Sequence, residues 1–141
     1  MTRAELAKKY FQEGYNCSQA VLLAFADLLS VPEDTLKAVA LPLGGGMGRL
    51  RQTCGGVSGA AMCLGLLFPE KSKSEIYALV QEVAGRFREK NGSINCGELL
   101  SGAGVRADAS PNAEPRTDGY YKKRPCADLV YDAAEVLEEV C

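Results

Sequence analysis

A glycine-rich stretch that runs directly into an apolar helix constrains this chain more than any other feature. Four glycines occupy five successive positions from Gly44 to Gly48. Since glycine adopts backbone angles with φ > 0 that other residues avoid, this stretch predicts a sharp turn or a close backbone approach. The apolar run that continues to Phe68 is about 14 residues long, which is short of the roughly 20 residues that span a membrane. We therefore expect a buried core helix at the centre of the fold.

The start of that helix places a cysteine where thiolates are favoured. Thr53 is the expected N-cap residue, so Cys54 would lie in the first turn, where free N–H groups and the helix dipole stabilise a negative sulfur. Gly55 and Gly59 share one side of the helix and Gly56 begins a neighbouring row, which leaves almost bare backbone there. A second helix can therefore approach closely, next to a cysteine that we interpret as chemically active.

Capping residues and apolar periodicity predict helices along most of the chain. The expected helices lie at about 3–13 and 17–30, from Pro32 to before Pro42, from Cys54 to Phe68, from Ser72 to Asn91, at 96–100, and from Pro125 to the end. Residues 101–124 are expected to be irregular. The predicted fold is a single all-α domain over residues 1–141, a bundle of about six or seven helices with a long irregular segment before the last one.

Composition and charge exclude several classes of function. The net charge is −2, and the one basic run, Lys122 to Arg124, fits a solvated loop, so we expect no nucleic-acid binding. No apolar segment follows Met1, which predicts a cytoplasmic protein without membrane insertion. The chain has no histidine, which removes Cys–His and Ser–His nucleophile pairs and mixed Cys/His zinc sites.

Six cysteines in a reducing compartment indicate metal binding or redox chemistry more than structural disulfides. Four of them fall in the predicted first turns of four different helices: Cys17, Cys54, Cys96 and Cys126. Cys63 lies nine residues after Cys54, on the opposite helix face, and is expected to be a small core residue. Cys141 is the terminal residue and is expected to be incidental.

Four thiolates at converging helix starts would suit more than one chemistry. Four is the ligand count of an iron–sulfur cluster and of a closed tetrahedral zinc site. The chain has no Cys-x-x-Cys, and 36, 41 and 29 residues separate the four cysteines, so only the folded protein could assemble the set. Two cysteines acting alone would suit thiol–disulfide chemistry, and Cys17 and Cys54 are the preferred pair for that alternative.

The cysteine-containing segments resemble a known family. They are Gly14-Tyr-Asn-Cys-Ser-Gln-Ala-Val21, Gly44-Gly-Gly-Met-Gly-Arg49, Cys54-Gly-Gly-Val-Ser-Gly-Ala60, Cys96-Gly-Glu-Leu-Leu100 and Pro125-Cys126. Together they resemble the redox-active protein family named for its C_GCAxxG_C_C pattern, over residues 5–140. The characteristic cysteines would be Cys17, Cys54, Cys96 and Cys126, and Gly56 stands where the pattern usually has alanine. The resemblance implies a redox role with an iron–sulfur or other prosthetic group.

The leading hypothesis is therefore a redox protein whose four cysteines bind an iron–sulfur cluster and pass electrons to an unidentified partner. Gly55, Gly56, Gly59 and Arg49 are assigned to the cofactor site, since a sharp glycine turn would let Arg49 or Arg51 face the cluster. A metal-free thiol–disulfide protein and a structural zinc module are the alternatives. The sequence leaves self-association into a homo-oligomer open.

Overall fold

Eight α-helices form the regular structure of this chain, which is described over residues 1–141 by a computed structural model. The helices are α1 (Arg3–Gln12), α2 (Cys17–Leu23), α3 (Glu33–Ala40), α4 (Gly55–Leu67), α5 (Lys73–Asn91), α6 (Cys96–Gly102), α7 (Asp118–Lys123) and α8 (Cys126–Val140). There is no strand beyond one isolated antiparallel bridge between Thr53 and Asn95. The all-α single-domain prediction is confirmed.

The core forms where α4 packs between α2, α5 and α8 while α1 packs along α8 and α2. The glycines of α4 permit this close packing. A Cβ atom on Gly59 would lie 2.7 Å from the Ser18 carbonyl oxygen of α2, and one on Gly56 would lie 3.1 Å from the Ala133 Cβ of α8. As expected, Cys63 is completely buried in this core. The bare face of α4 therefore lets two helices approach it.

Two helix ends differ clearly from the prediction, the end of α2 and the start of α4. The predicted 17–30 helix ends at Leu23, because Phe25 leaves helical angles and the guanidinium of Arg3 donates to the Ala24 carbonyl at 2.8 Å. A short 3₁₀ turn follows at Ala26–Leu28. The predicted N-cap Thr53 pairs with Asn95 instead, and Cys54 is itself the N-cap of α4.

The segment expected to be irregular contains α7, which raises the number of helices above the predicted six or seven. The Thr117 hydroxyl caps α7 by accepting from the Tyr120 N–H at 3.1 Å. This helix was not predicted, because residues 101–124 contain three glycines and two prolines with scattered charges, a composition typical of irregular segments. None of the eight helices is both long and apolar enough to cross a membrane.

The glycine-rich stretch makes the sharp turn that the sequence predicts. It follows a 3₁₀ turn at Leu41–Leu43 and takes positive φ at Gly45 and Gly46, 67° and 72°. The left-handed conformation also includes Arg49 at 64° and Arg51 at 60°, where a non-glycine residue is strained. This strained backbone brings both arginines to the candidate site.

Candidate functional site

Four cysteines line one cavity of about 450 Å³: Cys17, Cys54, Cys96 and Cys126. The other two do not, since Cys63 is in the core and Cys141 is exposed at the chain end. A volume of this size is typical of small-molecule sites. The lining also includes exposed residues such as Leu41 and Pro111, so the cavity reaches the protein surface.

Each of the four cysteines lies at the start of a helix. Cys17, Cys96 and Cys126 are the first residues of α2, α6 and α8, and Cys54 immediately precedes α4. Side chains cap two of these helices: Asn16 accepts from the Gln19 N–H at 3.0 Å, and Asn95 accepts from the Glu98 N–H at 2.9 Å. The sequence prediction placed all four within a residue or two of these positions.

Backbone pairing between two loops brings Cys54 and Cys96 to the same wall. The Cys54 N–H donates to the Ile94 carbonyl at 2.7 Å, and the Cys96 N–H donates to the Gln52 carbonyl at 2.6 Å. These bonds flank the Thr53–Asn95 bridge. The starts of α4 and α6 are thus held together without any covalent link.

Glycine contacts position Cys17 and Cys96. A Cβ on Gly55 would lie 2.9 Å from the Cys17 Cβ, and a Cβ on Gly46 would lie 2.7 Å from the Cys96 Cβ. Gly46 also has φ +72°, so a side chain there would be strained as well as crowded. Gly55 lines the cavity, whereas Gly56 and Gly59 act through helix packing.

Cys17 and Cys126 line the cavity together, and each changes the pKa of the other. A hydrogen bond from the Cys17 thiol to the Cys126 sulfur is the main cause that lowers the pKa of Cys126 to about 7. The positive charges of Arg124, Arg51 and Arg116 lower it further, and together with the hydrogen bond they outweigh the opposing effect of burial. The same hydrogen bond, together with burial, raises the pKa of Cys17 well above its ordinary value. At a pH above 7 the pair therefore consists mainly of a Cys126 thiolate and a Cys17 thiol.

Cys54 does not have the low pKa expected of a helix-start thiol. The backbone N–H groups of Gly56 and Val57 lower the pKa of its thiol, in the direction that the prediction required. However, the residue is only 4% exposed, and desolvation raises the pKa of the thiol to about 12. The prediction of a Cys54 thiolate is wrong because two amide dipoles do not offset the cost of burying its charge.

Cys96 contacts an arginine but remains a thiol. The Arg51 guanidinium donates to the Cys96 sulfur at 3.7 Å and also to the Asp108 carbonyl at 2.9 Å. Burial is the largest influence and raises the pKa of Cys96, while Arg51 opposes that rise. Cys126 is thus the one cavity cysteine whose pKa is lowered.

Four arginines line the same cavity: Arg49, Arg51, Arg116 and Arg124. The sequence analysis expected Arg49 or Arg51 to face the site, and both do. Arg124 was interpreted as part of a solvated loop, but its side chain is only 6% exposed. Arg116 donates to the carbonyls of Phe11 and Tyr15 at 2.8 and 3.1 Å, and its guanidinium lies 4.2 Å from the centroid of the Phe11 ring.

Sequence reasoning missed Arg116 and Arg124 because both belong to the segment that it expected to be irregular. One signal was available for Arg124, which stands two residues before a cysteine at a predicted helix start. Its neighbour Tyr120 lines the cavity and lies under the Arg124 guanidinium, 5.0 Å from ring centroid to Cζ. Burial raises the pKa of Tyr120 to about 12, so its hydroxyl stays protonated.

The donor set of the cavity fits a cofactor only in part. Four thiols on one cavity match the ligand number and type of an iron–sulfur cluster. Yet no three of the chain's cysteine and carboxylate side chains lie close enough together to hold a single metal ion. A tetrahedral zinc site, which needs four ligand atoms around one point, is therefore not preformed.

Comparison with known proteins identifies the family. The family model described as "Putative redox-active protein (C_GCAxxG_C_C)" matches residues 15–140, which is most of the chain. The chain belongs to this family. No curated protein and no solved structure matches it.

Proposed function

Starting from membership of a redox-active family, we propose that the protein is a thiol–disulfide redox protein in which Cys126 and Cys17 are the working pair. The observation that carries this proposal is that Cys17 and Cys126 line one cavity, where Cys17 is the main cause that lowers the pKa of Cys126 to about 7. A thiolate is the nucleophile in disulfide exchange, and a pKa near ambient pH is favourable for attack. Cys126 has both properties.

The proposed reaction consists of two exchange steps with a disulfide substrate. The Cys126 thiolate attacks one substrate sulfur, a mixed disulfide forms, and the other substrate sulfur leaves and takes a proton from solvent. The Cys17 sulfur then attacks Cys126 Sγ, the Cys17–Cys126 bond forms, and the second substrate sulfur leaves with the proton of Cys17. The substrate gains two electrons and the protein loses two.

The electrostatics of the pair suit this order of events. Cys126 itself is the main cause of the raised pKa of Cys17, through the hydrogen bond and through its negative charge. A mixed disulfide at Cys126 is neutral, so both effects disappear after the first step. Cys17 then ionises more easily at the moment when its sulfur must attack.

The prediction of Cys17 and Cys54 as the redox pair differs from this proposal in one partner. Cys54 lines the same cavity, but the thiol hydrogen bond of Cys17 is made with Cys126. The raised pKa of Cys54 also makes it a poor nucleophile at neutral pH. We therefore favour Cys126 as the first nucleophile.

Redox titration of the metal-free protein tests the proposal. We expect the reduced full-length chain to lose two thiols on equilibration with an oxidised dithiol buffer and to regain them with a reductant. Cys17→Ser and Cys126→Ser should each abolish this two-electron couple, while Cys63→Ser, in the core away from the cavity, should retain it. A couple that survives in Cys126→Ser would overturn the proposal.

A second candidate function is electron transfer by an iron–sulfur cluster bound by Cys17, Cys54, Cys96 and Cys126. The four arginines of the cavity favour this candidate, because they would offset the negative charge of such a cluster. The cluster would supply one-electron transfer. Anaerobic reconstitution followed by iron and sulfide analysis tests it. Stoichiometric iron and sulfide, lost when any one of the four cysteines is changed to serine, would support this candidate. Iron-free protein would exclude it.

A further inference from the structure

The cavity carries more positive than negative charge. Its lining contains four arginines and one carboxylate, that of Glu114. Even with Cys126 ionised, positive groups outnumber negative ones by two. The nearby Asp108 carboxylate, which also feels the charges of Arg49 and Arg51, accepts from the Ser110 N–H and is not part of the lining. The cavity is therefore suited to an anion.

The side chain of Glu114 already occupies one anion position. Its Oε1 atom accepts from Arg49 Nη2 at 3.4 Å and also from Arg124 Nη2. Both arginine side chains are nearly buried, whereas the Glu114 side chain is 42% exposed and belongs to the irregular segment between α6 and α7. A carboxylate from the irregular segment thus contacts two buried guanidinium groups.

We propose that the substrate of the Cys17–Cys126 pair is a small disulfide that carries a carboxylate, which replaces Glu114 between Arg49 and Arg124. The proposal rests on the thiol–disulfide function proposed above. A carboxylate is the expected ligand because this pair of guanidinium groups already binds one. Arg124 and Cys126 line the same cavity, so a carboxylate bound by Arg124 shares that cavity with the reactive sulfur. Glu114 then competes with substrate for the site.

Two aromatic disulfides, one charged and one neutral, test the proposal. Dithiobis(nitrobenzoate) carries a carboxylate on each ring, and dithiodipyridine carries none. Both release a coloured thiol on reaction with the reduced full-length protein. We expect a fast phase of reaction that Cys126→Ser lacks. The quantity to measure is the rate constant of this phase for the charged disulfide divided by that for the neutral disulfide, at a pH where Cys126 is fully ionised.

Two variants should change this ratio in opposite directions. Arg49→Gln should lower the ratio about tenfold, since charges that attract an oppositely charged ligand to its site change association rates by that order or more. Arg49 is suitable because it is not among the charges that lower the pKa of Cys126. Glu114→Gln should raise the ratio, because the competing carboxylate is gone. Arg88→Gln, an exposed change on α5 away from the cavity, should leave it unaltered.

The outcomes separate the substrate inference from the proposed function. If the fast phase exists but the ratio is the same in wild type, Arg49→Gln and Glu114→Gln, the carboxylate inference is overturned and the thiol–disulfide function stands. A lower ratio in Glu114→Gln would overturn the inference too. It would show that any damage to the site lowers the ratio, whereas competition by Glu114 requires the ratio to rise. If no fast phase depends on Cys126, the proposed function fails, and the inference fails with it. Circular dichroism of each variant confirms that it is folded.

Discussion

The start of α4 and the start of α8 place buried thiols in the same cavity, yet the two thiols differ in ionisation. Cys54 is 4% exposed and has a pKa of about 12, while Cys126 is 9% exposed and has a pKa of about 7. The pKa of Cys54 is lowered only by two backbone N–H groups. The pKa of Cys126 is lowered by the Cys17 thiol and by the charges of three arginines.

The difference shows which interactions stabilise a thiolate in a buried site. The partial charges at a helix N-terminus amount to about half an elementary charge and act over one turn. Guanidinium groups carry full charges, which act strongly where water is excluded. At the start of α8 the arginines and Cys17 therefore overcome desolvation, and at the start of α4 the amides do not.

The largest expected effect is on thiol alkylation near neutral pH. Cys126→Ser should lower the rate of the fastest alkylation by on the order of a hundredfold, because every other cysteine with a resolved shift has a raised pKa and is almost entirely protonated. Cys54→Ser should leave that rate nearly unchanged. Iodoacetamide kinetics with mass-spectrometric assignment of the labelled cysteine measure both. Equal losses in the two variants would contradict the comparison.

The next largest effect is expected from a substitution that disrupts the packing of α4 against α2, the helix that begins at Cys17. Gly59→Ala places a methyl group 2.7 Å from the Ser18 carbonyl oxygen and should destabilise the fold by about 2 kcal/mol through overpacking. The matched change Gly65→Ala, later in α4, meets nothing within 4 Å and should stabilise by about 0.5 kcal/mol. Urea denaturation compares them. The packing account is wrong if the two variants are equally stable.

Removing the charge of Arg124, two residues before α8, should change the ionisation of Cys126 more than that of Cys96 or Tyr120, where Arg124 is a smaller influence. Arg124→Gln should raise the pKa of Cys126 by about one unit, since a nearby opposite charge shifts a pKa by that order. At pH 7 the thiolate fraction of Cys126 would then fall about fivefold. Ultraviolet thiolate absorbance against pH measures it, with Arg88→Gln as the control. An unchanged titration of Cys126 would show that the charge of Arg124 does not stabilise its thiolate.

The smallest effect is on the pH dependence of stability. The pKa of Cys126 is about 7 in the folded protein against an ordinary value of 9.0, so its contribution to stability is present above about pH 9 and is lost as the pH falls through 7. Between about pH 7 and about pH 8, wild type should gain about 1 kcal/mol that Cys126→Ser does not gain. The chain has no histidine that would titrate in this window.

The raised pKa of Cys54 predicts the opposite slope at higher pH. The folded protein keeps the Cys54 proton up to about pH 12, whereas the unfolded chain releases it near 9, so stability falls as the pH rises above 9. Chemical denaturation at several pH values measures both slopes. A flat profile between pH 7 and 8 in wild type would contradict the assignment for Cys126.

The sequence was informative about local structure and less so about burial and long-range contacts. Capping residues such as Ser72 with Glu75 mark helix starts, because the bonds involved join residues three apart, and both bonds of this box form in the structure. The same local signals located four cysteines at helix starts. The helix α7 was missed because the glycines and prolines of residues 101–124 are typical of an irregular segment, although Thr117 caps the helix.

The ionisation of the site was beyond sequence reasoning for a physical reason. The high pKa of Cys54 comes from desolvation, which depends on how α2, α4 and α8 pack together. The low pKa of Cys126 depends on Cys17, more than a hundred residues away, and on Arg51 and Arg116. The position of a cysteine at a helix start reveals neither its desolvation nor its long-range contacts. The sequence therefore predicted a thiolate at Cys54, whereas the structure favours one at Cys126.

Disulfide mapping tests the central claim most directly. The metal-free, full-length protein is equilibrated with an oxidised dithiol buffer, the remaining thiols are blocked, and the linked peptides are identified by mass spectrometry. The account predicts one reversible disulfide that joins Cys17 to Cys126. A disulfide that joins Cys17 to Cys54, or a protein that keeps all six thiols reduced, would contradict it.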